Sequence, residues 1–315
     1  MSGPRWLLLK ATRRARHELC RRLYIDRAGG AEKAILLAGS ARSGTTWLAD
    51  VIASQLRCRV LFEPFHPKRV PQYSAFRTMQ YMRPETPHPA LEEFCGAVFR
   101  GEIRGRWVDR EATILRPQRR LIKEIRTNLL LRWISVNFPE VPRILVLRHP
   151  CAVVLSRLRA GWPARHDLNS FLAQDELVAD HLAPHRAFME SADTPEERHA
   201  IVWCVTNLVP LRQFGNTDPN CVFYEHLCSN PTEAIPRLFG LLGAEWDPAV
   251  FGRLETPSST VSTESAVLRG IDRIEAWRHG LSADQVRRIV SVVDRFGLGQ
   301  LYDDSPLPRV PLEKP

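Results

Sequence analysis

A short polar loop between two apolar segments is the part of this chain best suited to bind a phosphate. Residues 39–46 read Gly-Ser-Ala-Arg-Ser-Gly-Thr-Thr, and an apolar run, residues 34–38, precedes them. Continuous apolar runs are typical of buried parallel strands, and the residues after the loop have helical periodicity. Such a strand, loop and helix aim backbone N–H groups and a helix N-terminus at an anion. The segment therefore predicts a phosphate-binding loop.

The position of the cation separates this loop from those that bind nucleoside triphosphates. The spacing of Gly39 and Gly44 matches G-x-x-x-x-G, but Thr45 stands where a triphosphate loop has Lys. The basic residue comes earlier, at Arg42. We therefore expect a phosphate site that does not carry out γ-phosphoryl transfer of the usual kind.

A second segment strengthens the prediction. Residues 144–157 read Ile-Leu-Val-Leu-Arg-His-Pro-Cys-Ala-Val-Val-Leu-Ser-Arg. An apolar strand ends at Arg148, Pro150 is placed to start a helix, and Ser156 follows two turns later. Together, the loop and this segment resemble the two signatures of sulfotransferases that use 3′-phosphoadenosine 5′-phosphosulfate (PAPS). Carbohydrate and bacterial members are more similar than cytosolic ones, and the resemblance spans about residues 33–295.

The resemblance implies PAPS as sulfuryl donor and adenosine 3′,5′-bisphosphate as product. It assigns the loop to the 5′-phosphosulfate, Arg148 and Ser156 to the 3′-phosphate, and two aromatic side chains to the adenine. A later segment, residues 268–278, resembles one whose basic residue and glycine reach the 3′-phosphate. The implied donor-binding residues are Ser40, Arg42, Ser43, Gly44, Thr45, Thr46, Trp47, Arg148, Ser156, Tyr224, Arg269 and Gly270. Arg42 would also act in catalysis, by neutralising charge as the sulfuryl group leaves.

The acceptor hydroxyl needs a base. Cytosolic members have a His in a segment like I-K-T-H, whereas residues 122–125 here read Ile-Lys-Glu-Ile. Carbohydrate and bacterial members often place Glu in a segment like F-E-P, which matches residues 62–64. Glu63 is therefore the first candidate, and His66 or Glu124 is the reserve. No metal is expected, because cations and N–H groups can neutralise the transferred group and no cluster of metal ligands is apparent in the sequence.

These residues require strands that end at one edge of a sheet. Alternating strand and helix patterns predict an α/β fold, a three-layer parallel sheet with helices on both faces and a nucleotide-kinase-like P-loop. The predicted strands are 34–38, 59–63, 120–125, 143–147 and 221–224. The predicted helices are 45–57, 91–100, 129–138, 150–159, 196–214, 231–242 and 282–295. The loops at 65–90 and 160–195 are expected to set acceptor specificity.

Three parts are predicted along the chain: a basic helical extension at 1–30, one sulfotransferase domain at 31–300 and a Pro-rich tail at 301–315. Lys and Arg outnumber Asp and Glu by 44 to 35, and a net charge of +9 favours anionic partners. No segment is long and apolar enough to span a membrane, so a cytoplasmic location is expected. The alternative for the N-terminal helix is peripheral contact with a membrane surface.

The predicted function is transfer of a sulfuryl group to a hydroxyl of a small molecule, lipid or saccharide. One alternative is a nucleotide-binding scaffold or regulator without catalysis. A second is a P-loop kinase, which Thr45 and the lack of a clear acidic residue on an apolar strand oppose. A third, nucleic-acid binding through the basic N-terminus, lacks a recognisable module.

Overall fold

The computed structural model describes residues 22–26, 29–215, 220–254, 256 and 272–312. Its sheet has five parallel strands in the order β2-β3-β1-β4-β5. The strands are β1 Ala34–Gly39, β2 Cys58–Phe62, β3 Arg119–Lys123, β4 Arg143–Leu147 and β5 Cys221–Phe223. The phosphate-binding loop follows the central strand, as the sequence predicts.

The register of the strands brings their carboxyl ends together. Lys123 pairs with Leu37 on one side and with Phe62 on the other. Leu147 pairs with Phe223 across the far side of the sheet. The residues that follow these strands therefore lie along one edge, which is where α/β sheets bind ligands.

Two apolar cores cover the two faces of the sheet. Along β1, Leu36 belongs to one core, while Ile35 and Leu37 belong to the other. This alternation explains why the strand is apolar throughout, since both of its faces are covered. The predicted three-layer arrangement is confirmed.

Helices fill both outer layers. They are α1 Thr45–Leu56, α2 Pro89–Phe99, α3 Leu131–Asn137, α4 Pro150–Arg159, α5 Ala164–Leu172, α6 Arg186–Ser191, α7 Pro195–Phe214, α8 Tyr224–Ser229, α9 Pro231–Leu241, α10 Val250–Leu254 and α11 Ala283–Arg295. An additional single α-turn, Asp175–Leu177, continues into a π-helical turn, Val178–Leu182. The long helix α7 is buried along most of its length and packs against α4, α5 and α11.

Most element boundaries differ from the prediction by one or two residues, and two of these differences change the type of structure. Tyr224 begins α8 instead of ending β5, because the last extended residue is Phe223. The helix expected at 129–138 opens with a 3-10 turn, Asn128–Leu130, before α3. At α11, Ser282 caps the N-terminus by accepting a hydrogen bond from the Gln285 N–H, as predicted.

Residues near both predicted domain boundaries pack against the sheet region. Tyr302 is fully buried and donates a hydrogen bond to Glu225 (2.9 Å). Near the other end, Asp26 accepts hydrogen bonds from Arg59 and Arg120. Most of the extension predicted at 1–30 lies outside the described residues. Within the described part of the chain, no helix has both the length and the apolar composition needed to cross a bilayer.

Candidate functional site

The loop after β1 has a backbone that few side chains tolerate. Arg42 and Gly44 both have positive φ, 76° and 89°. A Cβ atom added to Gly44 would lie 2.6 Å from Cδ2 of Tyr224, so a larger residue would collide with that ring. Non-glycine residues with positive φ cost energy and concentrate at functional sites. The loop is therefore held in one shape by its glycine and by the tyrosine beside it.

The N-terminus of α1 opens directly onto this loop. No side chain caps the helix. The N–H groups of Thr45 and Thr46 are in its first turn, where no intrahelical partner exists. The Ser43 N–H, which the sequence assigned to the phosphate, donates instead to the Ser40 carbonyl (3.0 Å). The remaining donors are therefore Gly44, Thr45 and Thr46.

Arg42 and Arg148 bring the two sequence signatures together. Arg42 Nε donates to Ser156 Oγ (2.8 Å), and Arg148 Nη1 donates to the Arg42 carbonyl (3.2 Å). Arg148 also stacks on Tyr224, with Cζ 4.2 Å from the ring centroid. The three residues predicted to serve the phosphates therefore form one cluster over β1 and β4.

This cluster carries positive charge that no carboxylate neutralises at ion-pair distance, although the buried Glu225 is near enough for the charge of Arg148 to act on its pKa. Among the described residues, neither Arg42 nor Arg148 forms an ion pair with a carboxylate, and the buried Arg148 Nε has no hydrogen-bond acceptor. Burial, and then the charge of Arg148, lower the pKa of Arg42. Two guanidinium groups that destabilise each other create a strong preference for an anion between them. An anion such as a phosphate fits this arrangement.

The aromatic residues expected at the adenine pack against each other. The rings of Trp47 and Tyr224 meet edge to face, with centroids 5.3 Å apart, and each residue is 6 % exposed. Trp47 Nε1 donates to the Leu254 carbonyl (3.3 Å). Their role at an adenine stays a prediction. Arg269 and Gly270 lie outside the described residues.

Two residues of α7 that were not predicted as site residues support the loop. Thr206 Oγ1 lies 2.5 Å from Ser40 Oγ, and Asn207 Nδ2 donates to the same hydroxyl (3.3 Å). Ser40 is therefore held by a helix and has limited freedom to turn toward a ligand. The available signal was a pair of polar residues inside an otherwise apolar stretch of helix.

Glu63 lies at the same edge, beyond β2, and it is paired with two cations. Its Oε1 accepts from Lys123 Nζ (2.5 Å) and its Oε2 from Arg126 Nη1 (2.7 Å). Burial alone would raise the pKa of Glu63, but Lys123 and Arg126 outweigh it, so the pKa lies below its usual value. Like Arg42, Glu63 has positive φ (47°). Lys123 and Arg126 were not among the residues predicted for the site, although a Lys at the end of an apolar strand was a usable signal.

The two reserve candidates for the base differ in accessibility. Glu124 is fully buried and accepts hydrogen bonds from three backbone N–H groups, those of Phe65, Ile125 and Arg126. Burial raises its pKa. His66 is half-buried, and burial together with Arg126 lowers its pKa to about 4, so it is neutral at pH 7. Glu124 thus shapes the backbone, while His66 remains next to Glu63 in the loop.

Hydrogen bonds and an ion pair connect the two loops that are expected to set acceptor specificity. Tyr81 OH donates to Asp180 Oδ2 (2.8 Å), and Arg83 pairs with the same carboxylate (2.8 Å). Gln174 accepts from the Tyr81 N–H and donates to the Met79 carbonyl. The segments 65–90 and 160–195 therefore act as one structural unit beside the carboxyl edge.

Comparison with known proteins gives a family and several solved structures. The model of the sulfotransferase family matches residues 34–248, which is more than half of the chain. None of the curated proteins compared with the chain is significantly similar to it.

Three of the solved structures are sulfotransferases of low sequence identity. The sulfotransferase domain from the curacin biosynthetic pathway is 16 % identical, with a TM-score of 0.43, over 83 % of this chain and 97 % of that one. Mouse SULT7A1, in complex with PAP, is 14 % identical (TM-score 0.45; 90 % and 91 % covered). STF9 from Mycobacterium avium is 13 % identical (TM-score 0.45; 89 % and 79 % covered).

Proposed function

Because this chain belongs to the sulfotransferase family, we propose that it transfers a sulfuryl group from PAPS to a hydroxyl of a small molecule, lipid or saccharide. The family supports sulfotransfer in general. The observation that carries the choice of donor is the cluster of Arg42 and Arg148, which has no carboxylate partner among the residues described. A donor with phosphate groups at both its 3′ and 5′ positions would supply the missing negative charge.

The chain offers a distinct group for each part of such a donor. The N–H groups at the start of α1 would hold the 5′-phosphate, as helix N-termini do. Arg148 forms no ion pair among the described residues and its guanidinium suits the 3′-phosphate, and Ser156 can donate its hydroxyl while it accepts from Arg42. Trp47 and Tyr224 would border the adenine.

The donor supplies a sulfuryl group on a good leaving group, so that the bond from sulfur to the phosphate oxygen breaks as the bond to the acceptor oxygen forms. The protein contributes position and charge. Arg42 would stabilise negative charge on the leaving phosphate oxygen, because its guanidinium is already held over the loop by Ser156. No protein group needs to form a covalent bond.

Glu63 would receive the proton of the acceptor hydroxyl. The strands β1 and β2 lie on either side of β3, so the ends of β1 and β2 are roughly 10 Å apart. The side chains of Arg42 and Glu63, with a substrate between them, can fill this gap. Each carboxylate oxygen of Glu63 accepts one hydrogen bond from a cation and retains a further lone pair. A base with a lowered pKa accepts the proton late, when bond formation to sulfur has made the hydroxyl acidic.

The direct test is transfer of labelled sulfate from PAPS to a mixture of hydroxyl acceptors, with and without EDTA. We expect a labelled product and no loss in the chelator, since arginines and N–H groups neutralise the transferred charge. A strict requirement for magnesium would indicate nucleoside triphosphate chemistry instead. Tight binding of adenosine 3′,5′-bisphosphate without any product would favour the scaffold or regulator.

A further inference from the structure

Beside Glu63 lies a cluster of aromatic rings, Phe62, His66 and Trp107. Trp107 Nε1 donates to the Glu63 carbonyl (3.1 Å), which places the indole next to the proposed base. The rings of Phe62 and His66 meet the indole edge to face, at 5.3 and 5.4 Å between centroids. Phe62 is buried, whereas His66 and Trp107 are partly exposed, so the ring cluster reaches the protein surface beside Glu63.

Two arginines stack on these rings. Arg69 Cζ lies 5.3 Å from the centroid of Trp107, and Arg110 Cζ lies 5.2 Å from it. Arg110 also lies 4.7 Å from the ring of Phe62. Stacking on an aromatic face holds a guanidinium in place while its N–H groups remain available to a ligand.

The charges here are only partly balanced. Lys123 and Arg126 are both occupied by Glu63, and Arg110 lies 3.5 Å from Glu111. Arg69 is exposed and has no carboxylate partner in the described ranges. The positive field of Arg126 and Arg69 also contributes to the low pKa of His66. A cation without an ion pair therefore lies on the indole that contacts Glu63.

We propose that the acceptor carries an anionic group, a carboxylate, sulfate or phosphate, close to its reactive hydroxyl, and that Arg69 and Arg110 bind it against Trp107. The proposal rests on the proposed function and specifies its substrate class. A neutral acceptor would leave Arg69 unpaired, whereas an anionic one gains a charge-assisted hydrogen bond. The same contact would fix the orientation of the hydroxyl toward Glu63.

The test uses pairs of acceptors with and without an anionic group; the phenol pair differs in charge at nearly equal shape, and in the saccharide pair the anionic group also replaces the 6-hydroxyl. A phenol pair is 4-hydroxyphenylacetate and 4-hydroxyphenylacetamide, and a saccharide pair is N-acetylglucosamine with and without a 6-sulfate. N-acetylglucosamine 6-phosphate is included to show whether the site prefers a phosphate or a sulfate. Sulfate transfer from PAPS is measured for each, with kcat and KM, at low and high ionic strength. We expect at least roughly tenfold higher kcat/KM for the anionic member of a pair, and this preference should shrink as salt rises.

Variants of one loop provide the control. Arg69→Ala should remove most of the preference through a higher KM, with little change for neutral acceptors. Lys68→Ala removes the same charge from the neighbouring exposed residue, for which no aromatic contact is seen, and should retain the preference. Binding of adenosine 3′,5′-bisphosphate, measured by calorimetry, should be equal in both variants.

The outcomes separate the two proposals. Equal kcat/KM for charged and neutral members, or equal losses in Arg69→Ala and Lys68→Ala, would overturn the anionic acceptor while leaving sulfotransfer intact. No transfer to any acceptor would overturn the proposed function, and the inference about its substrate would fall with it.

Discussion

At the ends of β1 and β4, Arg42 and Arg148 lie together with no carboxylate ion pair in the part of the chain described, whereas at the ends of β2 and β3 Lys123 and Arg126 both pair with Glu63. The first region, the arginine half, needs an external anion to balance its charge. In the second, the glutamate half, the carboxylate of Glu63 pairs with both cations and offsets part of their charge. Both regions contain a non-glycine residue with positive φ directly after the strand or within its loop.

This difference indicates a division of labour along one edge of the sheet. Unpaired cations raise the free energy of the protein without its ligand, so a phosphate-bearing ligand should stabilise the fold strongly through the arginine half. A carboxylate held by two cations stays ionised over a wide range of pH, so it is available to accept a proton, while its lowered pKa makes it a weaker base. Each half can be disturbed separately.

The largest effect is expected in the glutamate half. Glu63→Gln removes the proton acceptor and should lower turnover by about 10²–10⁴, with the affinity for adenosine 3′,5′-bisphosphate largely retained. Single-turnover transfer of labelled sulfate measures the rate, and calorimetry measures the affinity.

Glu124→Gln is the matched control, because Glu124 is a buried carboxylate at the same edge that serves backbone N–H groups. It should lower the free energy of unfolding, while the turnover of the enzyme that remains folded should stay close to that of wild type. If Glu63→Gln turns over like wild type while His66→Ala does not, the assignment of the base moves to His66.

In the arginine half, Arg148→Ala should weaken binding of adenosine 3′,5′-bisphosphate by at least tenfold, since a charge-assisted contact contributes about 1.5–3 kcal/mol. Arg159→Ala removes one exposed charge from the other end of α4 and should bind like wild type. Calorimetric titration of both variants checks this, and equal losses would show that only net charge matters.

Gly44→Ala tests whether nucleotide binding depends on the shape of the loop, and Gly161→Ala is its control. Both glycines have positive φ, so each substitution should cost about 1–2 kcal/mol of stability from backbone strain. A Cβ atom at Gly44 would also collide with Tyr224, while one at Gly161 meets nothing within 4 Å. Only Gly44→Ala should therefore lose nucleotide affinity as well, as measured by thermal unfolding with and without the bisphosphate.

A smaller effect concerns pH. Arg126 helps to lower the pKa of Glu63, so Arg126→Gln should raise that pKa and move the acid limb of the kcat profile to higher pH. In wild type, the ion pairs stabilise the fold above the pKa of an unfolded Glu, and this stability is lost as the pH falls through the lower folded pKa. An acid limb that stays in place in Arg126→Gln would argue that Glu63 does not set it.

Much of this arrangement could be predicted from the sequence, because strand ends and loop signatures are local. The loop at 39–46, Arg148 at the end of β4 and the cap at Ser282 all follow from neighbouring residues. The pairing of Glu63 with Arg126 and the support of Ser40 by Thr206 could not be foreseen. They join residues 63 and 166 positions apart, and nothing in a single sequence specifies which distant polar side chains will meet.

The central claim is that the arginine half recognises a 3′-phosphate, and calorimetry of adenosine 3′,5′-bisphosphate against ADP tests it most directly. Both nucleotides carry two phosphates, but ADP has both at the 5′ position, so the comparison keeps their number and tests the 3′ position, where Arg148 is proposed to bind. We expect the bisphosphate to bind at least tenfold more tightly than ADP, and we expect Arg148→Ala to abolish that difference. Equal affinities of the wild-type protein for the two nucleotides would contradict the account.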